Sequence, residues 1–275
     1  MRRFPQNAVA PNAYAETLRD LGRHDEALVV FQETMRRFPQ DEVAPTAYAE
    51  TLRELGRHDE ALAVFQETMR RFPQSEVTKS AYAHLLADVG RLQEADEILL
   101  KSVNRLQTHG DWINLHIYAM ARLRDGRVGE ALAEFDRGIA FCPFATDRRY
   151  FKTARSLALI NAKRAEEAAH QLETLAKEPG LLREEATNVV LFRIHALAEA
   201  GRPRIAYEIF ESARIFDFAA VKQKRLAAAL DERYGLTTGV PAADNKAQEL
   251  SKNIADLEYE VIRPRLWKAP SRKVA

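Results

Sequence analysis

The sequence predicts an all-α solenoid of about six stacked antiparallel helix hairpins, followed by a capping helix and a C-terminal helix. Three observations carry this. The string MRRFPQ recurs at Met1, Met35 and Met69, and residues 1–34 differ from residues 35–68 at only five positions, which sets a period of 34 residues. A second pattern marks the turn and face of each hairpin. Gly22, Gly56, Gly90, Gly126, Lys163 and Gly201 are each followed five residues later by Ala27, Ala61, Ala95, Ala131, Ala168 or Ala206, and four residues beyond that by Phe31, Phe65, Leu99, Phe135, Leu172 or Phe210. Residues four apart share one helix face, so each second helix carries the same apolar pair. Finally, Pro39, Pro73, Pro143 and Pro179 close second helices, because proline lacks an N–H and its ring clashes with the preceding turn.

Taken in order, the hairpins fall at about 7–40, 41–74, 75–108, 109–144, 145–180 and 181–218. The five differences between the first two copies are Asn7 and Asp41, Ala8 and Glu42, Asn12 and Thr46, Asp20 and Glu54, and Val29 and Ala63, and nearly all are expected to face solvent. After the array, residues 219–235 place Val221, Leu226, Leu230 and Tyr234 beside a charged face, as a lid over the last hairpin requires. Residues 236–246 read as a linker, rich in Gly, Pro and Asn. From about 247 to 262 an amphipathic helix carries Leu250, Ile254, Leu257 and Val261 on one stripe and stops before Pro264. A basic tail to Ala275 follows, with Arg263, Arg265, Lys268, Arg272 and Lys273 around Trp267. Met1 stands in register with Met35, in the middle of a repeat, which predicts either a longer natural chain or a short N-terminal stub.

Composition narrows the function classes. With 46% hydrophobic and 29% charged residues the 275-residue chain is globular, and 41 basic against 40 acidic side chains leave no field to draw it to nucleic acid or an anionic membrane. No apolar run reaches the roughly 18 residues of a membrane span, no signal peptide opens the sequence, and the single cysteine forms no internal disulfide, so the expected compartment is the cytoplasm.

The second halves of the units, clearest in GRHDEALAVFQETMRRFP and GRVGEALAEFDRGIAFCP, resemble the tetratricopeptide repeat family, whose signature ends in an Ala, an aromatic four residues later and a Pro. The first halves depart from it. Pro11, Pro45, Lys79 and Leu115 stand where the family prefers Trp, and Tyr14 with Ala15, Tyr48 with Ala49, Tyr82 with Ala83 and Tyr118 with Ala119 where it prefers Leu with Gly. The near-identity of the early units also resembles bacterial arrays of this kind. The resemblance implies a non-catalytic scaffold that binds a peptide or helix in a concave groove built by the first helices. It assigns three rows to that groove. One is Asn12, Thr46, Ser80, His116, Thr153 and Leu191; the second is Glu16, Glu50, His84, Met120, Leu157 and His195; the third is Arg19, Arg53, Ala87, Leu123, Ile160 and Ala198. The groove is therefore expected to be charged in its N-terminal half and apolar in its C-terminal half. The 247–262 helix is expected to fold back into the apolar half, to insert into that of a second copy and so give self-association, or to serve simply as one more covering helix.

Other chemistry finds little support. Some family members clamp a chaperone's C-terminal carboxylate with Lys and Asn, but Glu16 and Glu50 at the matching positions would repel it. His24, Asp25 and Glu26, repeated as His58, Asp59 and Glu60, are adjacent and point three ways, so they suit a helix's first turn better than a metal. His84 with Asp88 and His195 with Glu199 fall short of a closed metal site, and Cys142 reads as a buried thiol. No phosphate-cradling or nucleophile-elbow motif is present, so neither a cofactor nor catalysis is expected. Two alternatives stand beside the scaffold: RNA binding by a pentatricopeptide-like array, and a regulatory fragment of a larger enzyme.

Overall fold

A computed structural model describes residues 7–213, 219 and 221–262. The N-terminal stub, Pro264, Trp267 and the basic tail lie outside these residues. Among the described residues there are fourteen α-helices and no strand: α1 Val9–Asp20, α2 His24–Arg37, α3 Val43–Glu54, α4 His58–Arg71, α5 Glu76–Asp88, α6 Leu92–Arg105, α7 His109–Arg124, α8 Val128–Phe141, α9 Ala145–Asn161, α10 Ala165–Ala176, α11 Arg183–Glu199, α12 Pro203–Ala213, α13 Val221–Tyr234 and α14 Asp244–Ile262. The chain divides into two compact units, the first ending at Asn114 and the second running from Leu115.

Each hairpin begins from the same local chemistry. Gly22 adopts a left-handed backbone, φ +76°, which no side chain opposes. Its N–H donates to the Arg19 carbonyl and that of Arg23 to the Leu18 carbonyl, both at 2.9 Å, so the last carbonyls of α1 are satisfied as the chain reverses. Gly56, Gly90, Gly126 and Gly201 repeat the conformation, and Lys163 adopts it too, at φ +61°, without a glycine's freedom. The residue entering each of the first five second helices is an arginine whose guanidinium bonds the carboxylate three residues on, as in Arg23 with Glu26 and Arg57 with Glu60. The same pair recurs as Arg91 with Glu94, Arg127 with Glu130 and Arg164 with Glu167. These pairs are solvent-exposed and screened by water, so each adds little to the helix start.

Packing follows the repeat. The Ala and large apolar residues of every second helix, from Ala27 and Phe31 to Ala206 and Phe210, are buried. Within the first unit each helix from α1 to α6 packs on the next, and the first helices also touch, α1 on α3 and α3 on α5. Within the second unit α8 to α12 pack in the same succession, α9 touches α11, and α13 covers α11. Both units are thus stacked antiparallel hairpins, the α-solenoid class, with the first helices forming a row.

That row explains one correction. Asn12 and Thr46 do not face solvent: each is only 5% exposed, with Asn12 Nδ2 donating to Asp41 at 2.9 Å and the Thr46 hydroxyl bonded to that of Thr78 at 2.8 Å. Their position is a seam between successive first helices rather than open surface. A second correction concerns α13, where Val221 is 67% exposed and Gln223 is buried in its place, donating to the Asn188 side chain at 2.6 Å. Lastly, α14 starts at Asp244, inside the expected linker, with that carboxylate in its first turn where it complements the helix dipole.

Candidate functional site

In the first unit α1, α3 and α5 carry the expected row residues on one face. Arg53 is its centre and is only 3% exposed. Its Nε and Nη2 donate to the two oxygens of Glu50 at 3.1 and 2.9 Å, and Nη1 donates to Asp88 of the neighbouring first helix at 2.9 Å. Burial alone would pull this guanidinium down, but the surrounding carboxylates outweigh it and hold it above its ordinary value. Arg19 lies 3.9 Å from Glu54, again across first helices. The cations are thus taken up by neighbours, while burial pushes the carboxyls of Glu16 and Glu54 up from the usual range. Ser80 is buried and bonds the Glu76 carbonyl at 2.8 Å, and His84 beside it is half-buried. Chemically this face is a run of hydrogen-bonding groups in which carboxylates outnumber available cations.

The second unit's face is different. His116, Met120 and Leu123 of α7, Thr153, Leu157 and Ile160 of α9, and Leu191 and His195 of α11 are all buried. An open apolar wall was expected there; Ala198 alone of the C-terminal row residues stays half-exposed. The His116 ring sits 6.0 Å from that of Phe135 and 5.5 Å from that of Phe151, an edge-and-face packing site rather than a free imidazole. Between α9 and α11 a cleft lined by Arg149, Thr153, Glu185 and Asn188 has room for about one water molecule.

What covers α9 and α11 is α14. This helix packs on α13 and also touches α11 and α9, the first helices of the two preceding hairpins. Its stripe of Leu250, Ile254, Leu257 and Val261 is buried. Two polar contacts tie it to α11, beside the Arg233–Ser251 and Lys246–Glu232 contacts that tie it to α13. The Nδ1 of His195 and a carboxylate oxygen of Glu258 are 2.5 Å apart, and the side-chain amide of Asn188 donates to the Val261 carbonyl at 3.5 Å. Residue 258 thus meets 195 and 261 meets 188, so the C-terminal half of α14 reaches α11 on the side that carries His195 and Asn188. Glu258 is 1% exposed, and desolvation would push the His195 imidazole down were it not overridden by the Glu258 charge, so its pKa is raised. Tyr234 of α13 flanks the pair, its ring 5.9 Å from His195 and its hydroxyl donating to Glu199 at 2.5 Å.

α14 docks within its own chain: it packs chiefly on α13, as one more covering helix would, and also reaches α11 and α9. Glu258 is the site residue that sequence reasoning missed. It adjoins the apolar stripe, where a Glu reads as solvated, and only its partner on α11, 63 residues earlier, reveals its place. Cys142 is buried as expected, and burial pushes its thiol up to about 11. No helix of the described residues is long and apolar enough to cross a membrane, and none of their His, Cys, Asp and Glu side chains group as a metal site.

Residues 52–123 match the model of the tetratricopeptide repeat, and residues 6–80 that of the bacterial transcriptional activator domain. No curated protein matches the chain. Among solved structures, a tetratricopeptide repeat protein from Parabacteroides merdae is similar with a TM-score of 0.62 at 15% identity, covering 82% of this chain and 85% of that one. PilW, a widely conserved type IV pilus biogenesis factor, is similar with a TM-score of 0.59 at 16% identity, covering 80% of this chain and 99% of its own. At such identities the likeness is one of fold.

Proposed function

We propose that this chain, which carries tetratricopeptide repeats, is a non-catalytic scaffold that holds a helical or extended segment of a partner protein against its first-helix faces. The observation that carries the reading is α14, an amphipathic helix already lodged against α9 and α11, because it supplies an example of what such a face accommodates. The carboxylates Glu16 and Glu50 on the first unit's face weigh against RNA, whose phosphates they would repel. The likeness of residues 6–80 to a bacterial transcriptional activator domain supports a second reading, in which the scaffold serves regulation as part of a larger assembly.

The test is capture from native cells on the immobilised full chain, wild type beside a Glu16→Lys, His84→Ala variant. A partner held on the first unit's face is expected to drop by about tenfold on the variant. Equal capture by both chains removes that face from the reading, and no partner on either removes the scaffold itself. Salt-dependent retardation of single-stranded RNA would favour the nucleic-acid alternative instead.

A further inference from the structure

Second helices elsewhere pack between neighbouring first helices: α2 on α1 and α3, α4 on α3 and α5, and α10 on α9 and α11. The last helix breaks this rule. Packed chiefly on α13, it also touches α11 and α9, on the side of α11 that carries Asn188 and His195. We propose that α14 is a resident and displaceable ligand of the trough formed by α9, α11 and α13, and that the trough's other occupant is an amphipathic helix of a partner protein with α14's own chemistry. That chemistry is an apolar stripe in the spacing of Leu250, Ile254, Leu257 and Val261, with a carboxylate beside it at the Glu258 position. This inference rests on the scaffold reading and specifies the partner of its second unit.

Three features support exchange. First, the contacts are those of a bound helix: a continuous apolar stripe with few polar anchors, of which the side chain of His195 selects a carboxylate. Second, the connector from 235 to 243 is fastened to the end of α13 and not to α9 or α11: the Thr237 N–H and hydroxyl both donate to Asp231, and the Ala242 N–H donates to the Arg233 carbonyl at 3.4 Å. Third, α13 has its own hold on the array: Leu226 and Leu230 are fully buried and Gln223 bonds both Asn188 and the Glu184 carbonyl. α13 thus makes contacts with α11 that do not pass through α14, although it also packs extensively on α14.

The experiment uses the full chain and a fluorescent peptide of residues 244–262. In anisotropy titrations the peptide is expected to bind an Ile254→Asp, Leu257→Asp chain, whose own α14 is undocked, at least about tenfold more tightly than wild type, since the trough is then free. A peptide carrying Glu258→Lys is expected to lose about tenfold. Equal binding of the native peptide to both chains, or none to either, overturns the proposal, provided circular dichroism shows the variant folded. If that variant does not fold, the Glu258→Gln chain makes the same comparison, with tighter peptide binding than wild type expected and equality again decisive. Amide exchange supplies an independent readout. Residues 250–261 of wild type are expected to exchange at least about tenfold faster than residues 188–197, and one common rate overturns the idea. A peptide that fails here leaves capture on the first unit's face intact, whereas capture that fails leaves the peptide result standing.

Discussion

His195 is surrounded from three helices: by Glu258 on α14, by Glu199 one turn along α11, and by Arg233 and Tyr234 on α13. Its raised pKa has a definite consequence for stability. A group whose folded pKa lies above its unfolded value stabilises fully below the unfolded pKa, about 6.5 for histidine, and loses that contribution as pH rises through the folded value. Protection of α14 is therefore expected to fall as pH rises above about 6.5, measured by amide exchange or by melts at pH 6 and 9. Glu258→Ala is expected to flatten that dependence and to cost on the order of 2 kcal/mol, because it leaves a buried imidazole without its partner. A pH profile identical in wild type and variant would assign the dependence elsewhere. Gly138 gives a second prediction. A Cβ built there would meet the Phe151 ring at 2.4 Å, so Gly138→Ala is expected to cost about 1–3 kcal/mol by overpacking, read as a lowered Tm. The sequence conceals this pair. At the matching positions stand Thr34 with Ala44 and Thr68 with Thr78, and only the structure shows that the small residue has moved to α8 and the large one to α9.

At the scale of the element, the hairpin was the most legible object in the sequence because its turn and its apolar pair are local. Even Lys163, standing in a glycine's place, takes the left-handed conformation that its position implies. That conformation costs a side chain roughly 1–2 kcal/mol, while glycine's greater unfolded-state freedom offsets part of the gain. Lys163→Gly is therefore expected to stabilise by about 0.5–1 kcal/mol in a denaturant titration, with nothing lost in packing since Lys163 is exposed. Phe65, fully buried in α4 with its ring tilted against that of Tyr82 at a centroid distance of 6.0 Å, lies at the other extreme. Phe65→Ala is expected to cost about 3–5 kcal/mol and to raise amide exchange most in α3, α4 and α5, because stability in a stacked array passes chiefly between neighbours. An unchanged melt would contradict its place in the core. What sequence periodicity could not separate was seam from surface on the first helices. Asn12, Thr46, Leu157 and Leu191 fall on a face that reads as open, yet the next first helix or α14 closes over it.

For the whole molecule, the all-α class and the order of hairpins followed from one period, whereas the distribution of open and occupied faces did not. That distribution depends on contacts between residues far apart in sequence, such as Asn188 with Val261, for which no local signal exists. The nine-residue connector between α13 and α14 then decides how selective the trough is. A tethered helix competes at an effective concentration in the millimolar range, so a free rival of equal fit at one micromolar would hold the trough in only about one molecule per thousand. Casual amphipathic segments are shut out by dilution alone. A visitor gains entry by fitting about a thousandfold better than the resident, or by first gripping some other part of the chain and arriving at comparable local abundance.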